Sequence, residues 1–173
     1  DTMTDRDNLE FKASWIYLHD RMESQKRSVF FRKTFTATDS GRSINIRISA
    51  DSRYKLYING IYVASGPERG DRFRTYYDTL DIAPYLKKGK NAAAVHVLKF
   101  PWDPAAAIRF QTGPVWLQST SRGGLLLDGG EDLPQINTDA QWHVMEDTSY
   151  VFSEAECSKY AGDQELVRGE KYP

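Results

Sequence analysis

The sequence predicts an all-β fold, an antiparallel jelly-roll β-sandwich with at most short helical turns. Three observations carry this. Apolar and polar residues alternate with period two through much of the chain, the pattern of half-buried strands. An Asn-Gly pair, Asn59-Gly60, joins two apolar-and-aromatic runs, which is the signature of a two-residue hairpin. Long amphipathic helices are hard to find, whereas about eight short strand-like runs recur between turn signals, as in a sandwich or barrel.

Taken in order, Val29 to Phe35 is a strand candidate, with Phe31, Lys33 and Phe35 opposite Phe30, Arg32 and Thr34. Ser43 to Ser49 puts Ile44, Ile46 and Ile48 on one face and Asn45 and Arg47 on the other. Tyr54 to Ile58 and Ile61 to Ala64 flank Asn59-Gly60. A type I′ turn needs φ > 0 at both central positions, which Asn and Gly tolerate. In that register Ile58 faces Ile61, Tyr57 faces Tyr62 and Leu56 faces Val63. The aliphatic side chains then share the core face and the tyrosines the other.

Tyr76 to Leu80 reads as a short strand. Asp81 to Leu86, with Pro84 inside, suits one helical turn at most. Lys87 to Asn91 holds Gly89 and reads as a turn. Ala92 to Phe100 is a strand with Val95 and Val97 on one face, ended by Pro101 and Pro104. Gly113 to Ser119 and Gly124 to Leu127 are expected to form a further hairpin. Ile136 to Glu146, with Trp142 and Val144, is expected to be the last strand. Residues 1–152 are thus read as one sandwich domain. Residues 153–173 are polar and read as an irregular arm or linker to a following domain, both ends of the chain looking like cuts in a longer protein.

The chain has 173 residues, a length that suits one domain with a real core. Its formal net charge is −1, so no basic field attracts a phosphate backbone and nucleic acid is not an expected partner. No apolar run approaches the roughly 20 residues needed to cross a bilayer, so no membrane partner is expected. The single cysteine, Cys157, cannot form a disulfide within the chain and says little about compartment.

The residues that could carry chemistry are few. His19, His96 and His143 are far apart and lack a partner at metal-ligand spacing, so no metal is expected. His96 reads as a strand-face residue. No nucleophile elbow and no phosphate-binding glycine loop appears, and no cofactor is expected. Carboxylates are plentiful, but no segment sets two of them across a cleft, as a glycosidase requires. Cys157 lies in a polar tail and reads as an incidental thiol.

The stretch Gly66 to Asp81, GPERGDRFRTYYDTLD, stands apart. Arg69, Arg72 and Arg74 alternate with Glu68, Asp71 and Asp78, and Phe73, Tyr76 and Tyr77 lie among them. Sugar recognition uses planar bidentate donors, carboxylate acceptors and aromatic faces, and these are those residue types. The plainer reading is a long loop held by Arg–Asp pairs. Trp102, between Pro101 and Pro104, is either a stacking platform or a plug over one end of the sandwich. The candidate carbohydrate-binding residues are therefore Arg69, Asp71, Arg74, Tyr77 and Trp102.

The span Ala50 to Val97 resembles the N-terminal β-sandwich domain of bacterial α-L-rhamnosidases of glycoside hydrolase family 78. The resemblance rests on Ala50-Asp51-Ser52-Arg53-Tyr54, Leu56-Tyr57-Ile58-Asn59-Gly60, Ser65-Gly66-Pro67, Tyr77-Asp78-Thr79-Leu80-Asp81-Ile82, Tyr85-Leu86 and Gly89-Lys90-Asn91, in that order. Trp15-Ile16 and Phe31-Arg32-Lys33-Thr34-Phe35 fit its opening strands. Asn137-Thr138-Asp139 with Trp142 looks like a later strand of it, and Gln164-Glu165 like the lead into its next domain. The resemblance implies a galactose-binding-like jelly roll that is not itself an enzyme. Catalysis in such proteins belongs to a separate (α/α)6 barrel, whose acids have no positions here. The implied partners are the catalytic domain of the same polypeptide and rhamnose-containing glycan. The sequence does not give the compartment; a periplasmic or extracellular setting is favoured over a cytoplasmic one. The alternative is a carbohydrate-binding module for another sugar in a different glycoside hydrolase.

Overall fold

The alternation in RSVFFRKTFTA sends Val29, Phe31, Lys33, Phe35 and Ala37 inward and leaves Arg32, Thr34 and Thr36 exposed, and Arg27–Ala37 forms the long strand β1. The computed structural model describes residues 10–18, 26–38, 42–68, 75–100, 124–152 and 165–171. Strands follow at Asn45–Asp51 (β2), Arg53–Ile58 (β3), Ile61–Gly66 (β4), Asp78–Asp81 (β5) and Gly89–Lys99 (β6). Then come Gly124–Asp128 (β7), His143–Glu146 (β8), Tyr150–Phe152 (β9) and Glu165–Val167 (β10). Helical structure among the described residues is confined to short 3-10 turns at Ala83–Tyr85, Pro134–Ile136 and Gly169–Lys171.

Every strand pairing is antiparallel. One sheet has the order β4-β3-β6-β1-β8, a second β5-β2-β7, and β9 pairs with β10 as a separate ribbon. The first two sheets face each other across one core. Phe31, Leu56, Ile58, Val95 and Val97 come from the larger sheet, and Ile46, Ile48, Ala50, Leu125 and Leu127 from the smaller. Ile46, Ile48, Leu125 and Leu127 are wholly buried, each contributing about 1.5–3 kcal/mol from removal of apolar surface from water. The architecture is the all-β sandwich that the alternation predicts.

The Asn-Gly turn forms as expected, with φ of 52° at Asn59 and 81° at Gly60. Ile58 faces Ile61 and Tyr57 faces Tyr62. The third expected pair is corrected: a bulge shifts the register, and Leu56 faces Ala64, not Val63. A bulge sets two residues against one, which no alternation pattern announces. The expected burial of Ile61 and Val63 is corrected too. Ile61 is 55% exposed and Val63 only half-buried. β4 is the edge of the larger sheet, and the three-stranded sheet is too narrow to cover it.

Two further expectations change, and a third lies partly outside the described residues. Ile136 to Glu146 is a strand only over its last four residues, because Pro134–Ile136 and the turn before Trp142 precede β8. Gly124 to Leu127 is a strand, as expected, and it pairs with β2; Gly113 to Ser119, its expected hairpin partner, lies outside the described residues. Within 153–173, Glu165–Val167 is not irregular but pairs with β9. Three residues are too few for a period to be visible.

Candidate functional site

The stretch that follows the hairpin is held at both described ends by one contact. Tyr54, in β3, is 2% exposed, and its hydroxyl donates to Asp78 Oδ2 at the start of β5, 2.5 Å away. Burial, and after it the hydrogen bond and negative charge of Asp78, holds the Tyr54 phenol above its ordinary pKa. Gly66, the last residue of β4, lies against the same pair: a Cβ there would come 2.1 Å from Asp78 Oδ2 and 3.0 Å from the Tyr54 ring. A side chain at this position would have to displace the Asp78 carboxylate. The residues between Gly66 and Asp78 therefore leave and return at one point on the sandwich.

Tyr77 stands next to that anchor and is 37% exposed. Its ring meets Phe11 edge to face, with centroids 5.4 Å apart and planes at 84°. The Arg47 guanidinium covers Phe11 at 4.2 Å, a cation–π contact. Arg47 Nη2 also donates to Asp128 Oδ2 at 3.2 Å and to the Glu10 carbonyl at 3.2 Å. Asp128 is wholly buried and accepts further bonds from the backbone N–H groups of Lys12 (2.7 Å) and Gly130 (2.7 Å). This arrangement fastens residues 10–13 over the outer face of the smaller sheet. Arg47 and Asp128 are thereby committed to structure, and the Tyr77 ring, with the adjacent Tyr76, is exposed to solvent at this corner. Arg69, Asp71, Arg74 and Trp102, the other sequence candidates, lie outside the described residues.

A second polar cluster has the composition of a hydrolytic triad but not its geometry. Ser28 Oγ lies 2.5 Å from His96 Nε2, and it also donates to Asp147 Oδ2 at 3.1 Å. The carboxylate is 3.8 Å from the same imidazole nitrogen. In a triad the acid orients the ring through its other nitrogen, opposite the nucleophile. Ser28 is 2% exposed, and Asp147 Oδ1 accepts from the Ser149 N–H at 3.0 Å and from its hydroxyl at 2.5 Å. The cluster ties β1, β6 and the β8–β9 turn together. His96 itself lies on the strand face, stacked on Phe30. Sequence reasoning missed this cluster because its members are separated by 68 and 119 positions. Among the described residues no group of three His, Cys, Asp or Glu side chains is placed to hold a metal ion. No helix among them is long and apolar enough to cross a membrane.

No protein-family model matches the chain, and no curated protein does. Solved structures do. The chain is 30% identical to the GH78 family rhamnosidase of Bacillus sp. GL1 over 81% of its own length, with a TM-score of 0.68. It is 17% identical to α-L-rhamnosidase from Dictyoglumus thermophilum over 81% of its length, with a TM-score of 0.59. It is 17% identical to Streptomyces avermitilis α-L-rhamnosidase, complexed with L-rhamnose, over 78% of its length, with a TM-score of 0.51. The last two show the fold alone. The chain spans 14%, 17% and 12% of these three proteins. The resemblance to a β-sandwich domain of family 78 rhamnosidases, read from the motifs, is borne out.

Proposed function

We propose that this rhamnosidase-type domain is a non-catalytic accessory domain of a larger glycoside hydrolase. It supports the catalytic domain of the same polypeptide and recognises rhamnose-containing glycan at the Tyr77 corner. One observation carries the reading: a domain-sized all-β chain matches 81% of itself, but only 14% of its partner, in a family 78 rhamnosidase. The triad-like cluster has the wrong connectivity for nucleophilic catalysis, which agrees with a supporting role. Tyr77 supplies an exposed aromatic ring beside the anchored ends of a loop rich in Arg and Asp, and Arg69, Asp71, Arg74 and Trp102 complete the candidate set.

Isothermal titration with L-rhamnose and a rhamnoside at millimolar concentration tests the binding part. Heat that is lost in Tyr77→Ala is expected. Absence of heat would leave only the supporting role. A clear response to a different sugar on a glycan array would instead assign the domain to that sugar.

A further inference from the structure

The outer face of the five-stranded sheet differs in charge from the rest of the described chain. The register sets Tyr62, Tyr57, Ala94 and Arg32 in one row across β4, β3, β6 and β1. Lys55 stands beside this row on β3, and Lys90 faces Thr36 further along β6. Arg32, Lys55, Lys90 and Tyr62 are exposed, whereas Ala92 and Ala94 leave a low floor between the tyrosines and Arg32. The outward positions of these described strands hold no Asp or Glu.

On other parts of the described chain several cations do face carboxylates: Lys33 meets Asp139 at 2.8 Å, Arg42 meets Asp132 at 2.8 Å and Arg47 meets Asp128 at 3.2 Å. Among the described residues no carboxylate pairs with Arg32, Lys55 or Lys90. Three cations without a carboxylate partner among the described residues thus share one face, in a chain whose net charge is −1. Such segregation makes a local positive field that overall charge conceals. At the edge of that field Tyr57 and Tyr62 meet edge to face, with centroids 5.8 Å apart, and Tyr62 is 52% exposed.

We propose that this face binds an anionic polysaccharide. Its uronate carboxylates pair with Arg32, Lys55 and Lys90, and its sugar rings lie on Tyr57 and Tyr62. Guanidinium and ammonium groups give charge-assisted bonds to carboxylates, and tyrosine offers an amphipathic face. A protein partner fits less well. The centres of protein interfaces are depleted in charge and carry large aromatic or Arg anchors in pockets, whereas the centre here is alanine flanked by cations. The proposal is independent of the reading at Tyr77, which precedes β5 in the other sheet.

Affinity electrophoresis of the 173-residue chain through gels containing polygalacturonate tests it. Retardation is expected in polygalacturonate and not in an uncharged galactan, and it should shrink as salt is raised. Arg32→Gln/Lys55→Gln should weaken it about 3- to 10-fold, as loss of two exposed charge pairs implies. Lys90→Gln and Tyr62→Ala should each weaken it. Arg32, Lys55, Lys90 and Tyr62 are exposed, so the melting temperatures of these variants should match the parent. The proposal is overturned by absence of retardation, by equal retardation in galactan, or by variants that keep full binding at an unchanged melting temperature. It is also overturned if a single-stranded oligonucleotide is bound in preference to polygalacturonate. A chain that sediments as a dimer dissolved by the same substitutions overturns it too, because the face is then an interface between copies.

Discussion

The side-chain amide of Asn59 donates to Asn91 Oδ1 at 2.8 Å, and this contact fixes the β3–β4 turn to the start of β6. Asn59 Nδ2 also donates to the Tyr85 carbonyl at 2.9 Å, and its Oδ1 accepts from the Ala92 N–H at 3.0 Å. Asn91 is 1% exposed, and its own amide bonds back to Lys87 and Gly89. Asparagine therefore does two things at this position: it accepts φ > 0, and it links three segments.

Substitutions at Asn59 separate those two roles. Asn59→Gly keeps the backbone freedom but removes the amide, and the loss of three part-buried hydrogen bonds should cost about 1–3 kcal/mol. Asn59→Ala adds the left-handed backbone penalty of about 1–2 kcal/mol. Asn59→Pro cannot meet the turn at all, because its φ is fixed near −65°. Urea unfolding should rank parent, Gly, Ala and Pro in that order. A parental midpoint in Asn59→Gly would show that the amide contact contributes nothing.

Thr138 is expected to be as sensitive. Its hydroxyl donates to the Ser14 carbonyl at 2.6 Å and accepts from the Leu127 N–H at 3.1 Å, joining residues 10–18 to β7. The neighbours of Thr138 in the same motif act alike. Asp139 neutralises Lys33, and the Asn137 carbonyl receives both Lys33 Nζ and Trp142 Nε1 at 3.0 Å. Thr138→Val keeps the shape and orphans a buried N–H, so a loss of about 1–3 kcal/mol is expected in chemical denaturation. An unchanged midpoint would contradict it.

Gly66→Ala should break the Tyr54–Asp78 contact, because the new methyl and Asp78 Oδ2 cannot share one space. Overpacking of this kind costs about 1–3 kcal/mol. Tyr54→Phe, which removes only the hydroxyl, should cost less than Gly66→Ala. If Gly66→Ala melts with the parent, the chain leaves β4 by another path.

The stability should also fall in acid through Asp81. Its carboxylate accepts from the Ala83 N–H at 3.0 Å and the Ile44 N–H at 3.0 Å. These bonds, in that order, and then the Ser43 side chain hold its pKa below the ordinary 3.8. A group lowered in the folded state stabilises fully above its unfolded value and loses that contribution as pH falls through the folded one. The melting temperature of the parent should therefore exceed that of Asp81→Asn near neutrality, and the gap should close below pH 3.8. A gap constant with pH would contradict the assignment.

Much of the fold was legible because its strands are long and half-buried. Ile44, Ile46 and Ile48 read correctly as one face, as did Val95 and Val97. The Asn-Gly turn read correctly because both residues suit φ > 0. The bulge opposite Leu56 was not legible, since it comes from sheet twist and edge position rather than from the local pattern. Nor was Lys33, a charge on a core face whose stem is buried while Nζ reaches Asn137 and Asp139, more than a hundred positions away. At the candidate site the sequence pointed to Tyr77 but not to its neighbours. Phe11 and Arg47 come from segments 66 and 30 residues distant in the chain, and only pairing of β2 with β5 and β7 brings them together.

The most direct measurement is turnover of an aryl α-L-rhamnoside by the purified 173-residue chain. An accessory domain should release no phenol above the buffer rate, with or without added metal ion. Turnover that a single Asp or Glu substitution abolishes, with the fold retained, would contradict the account.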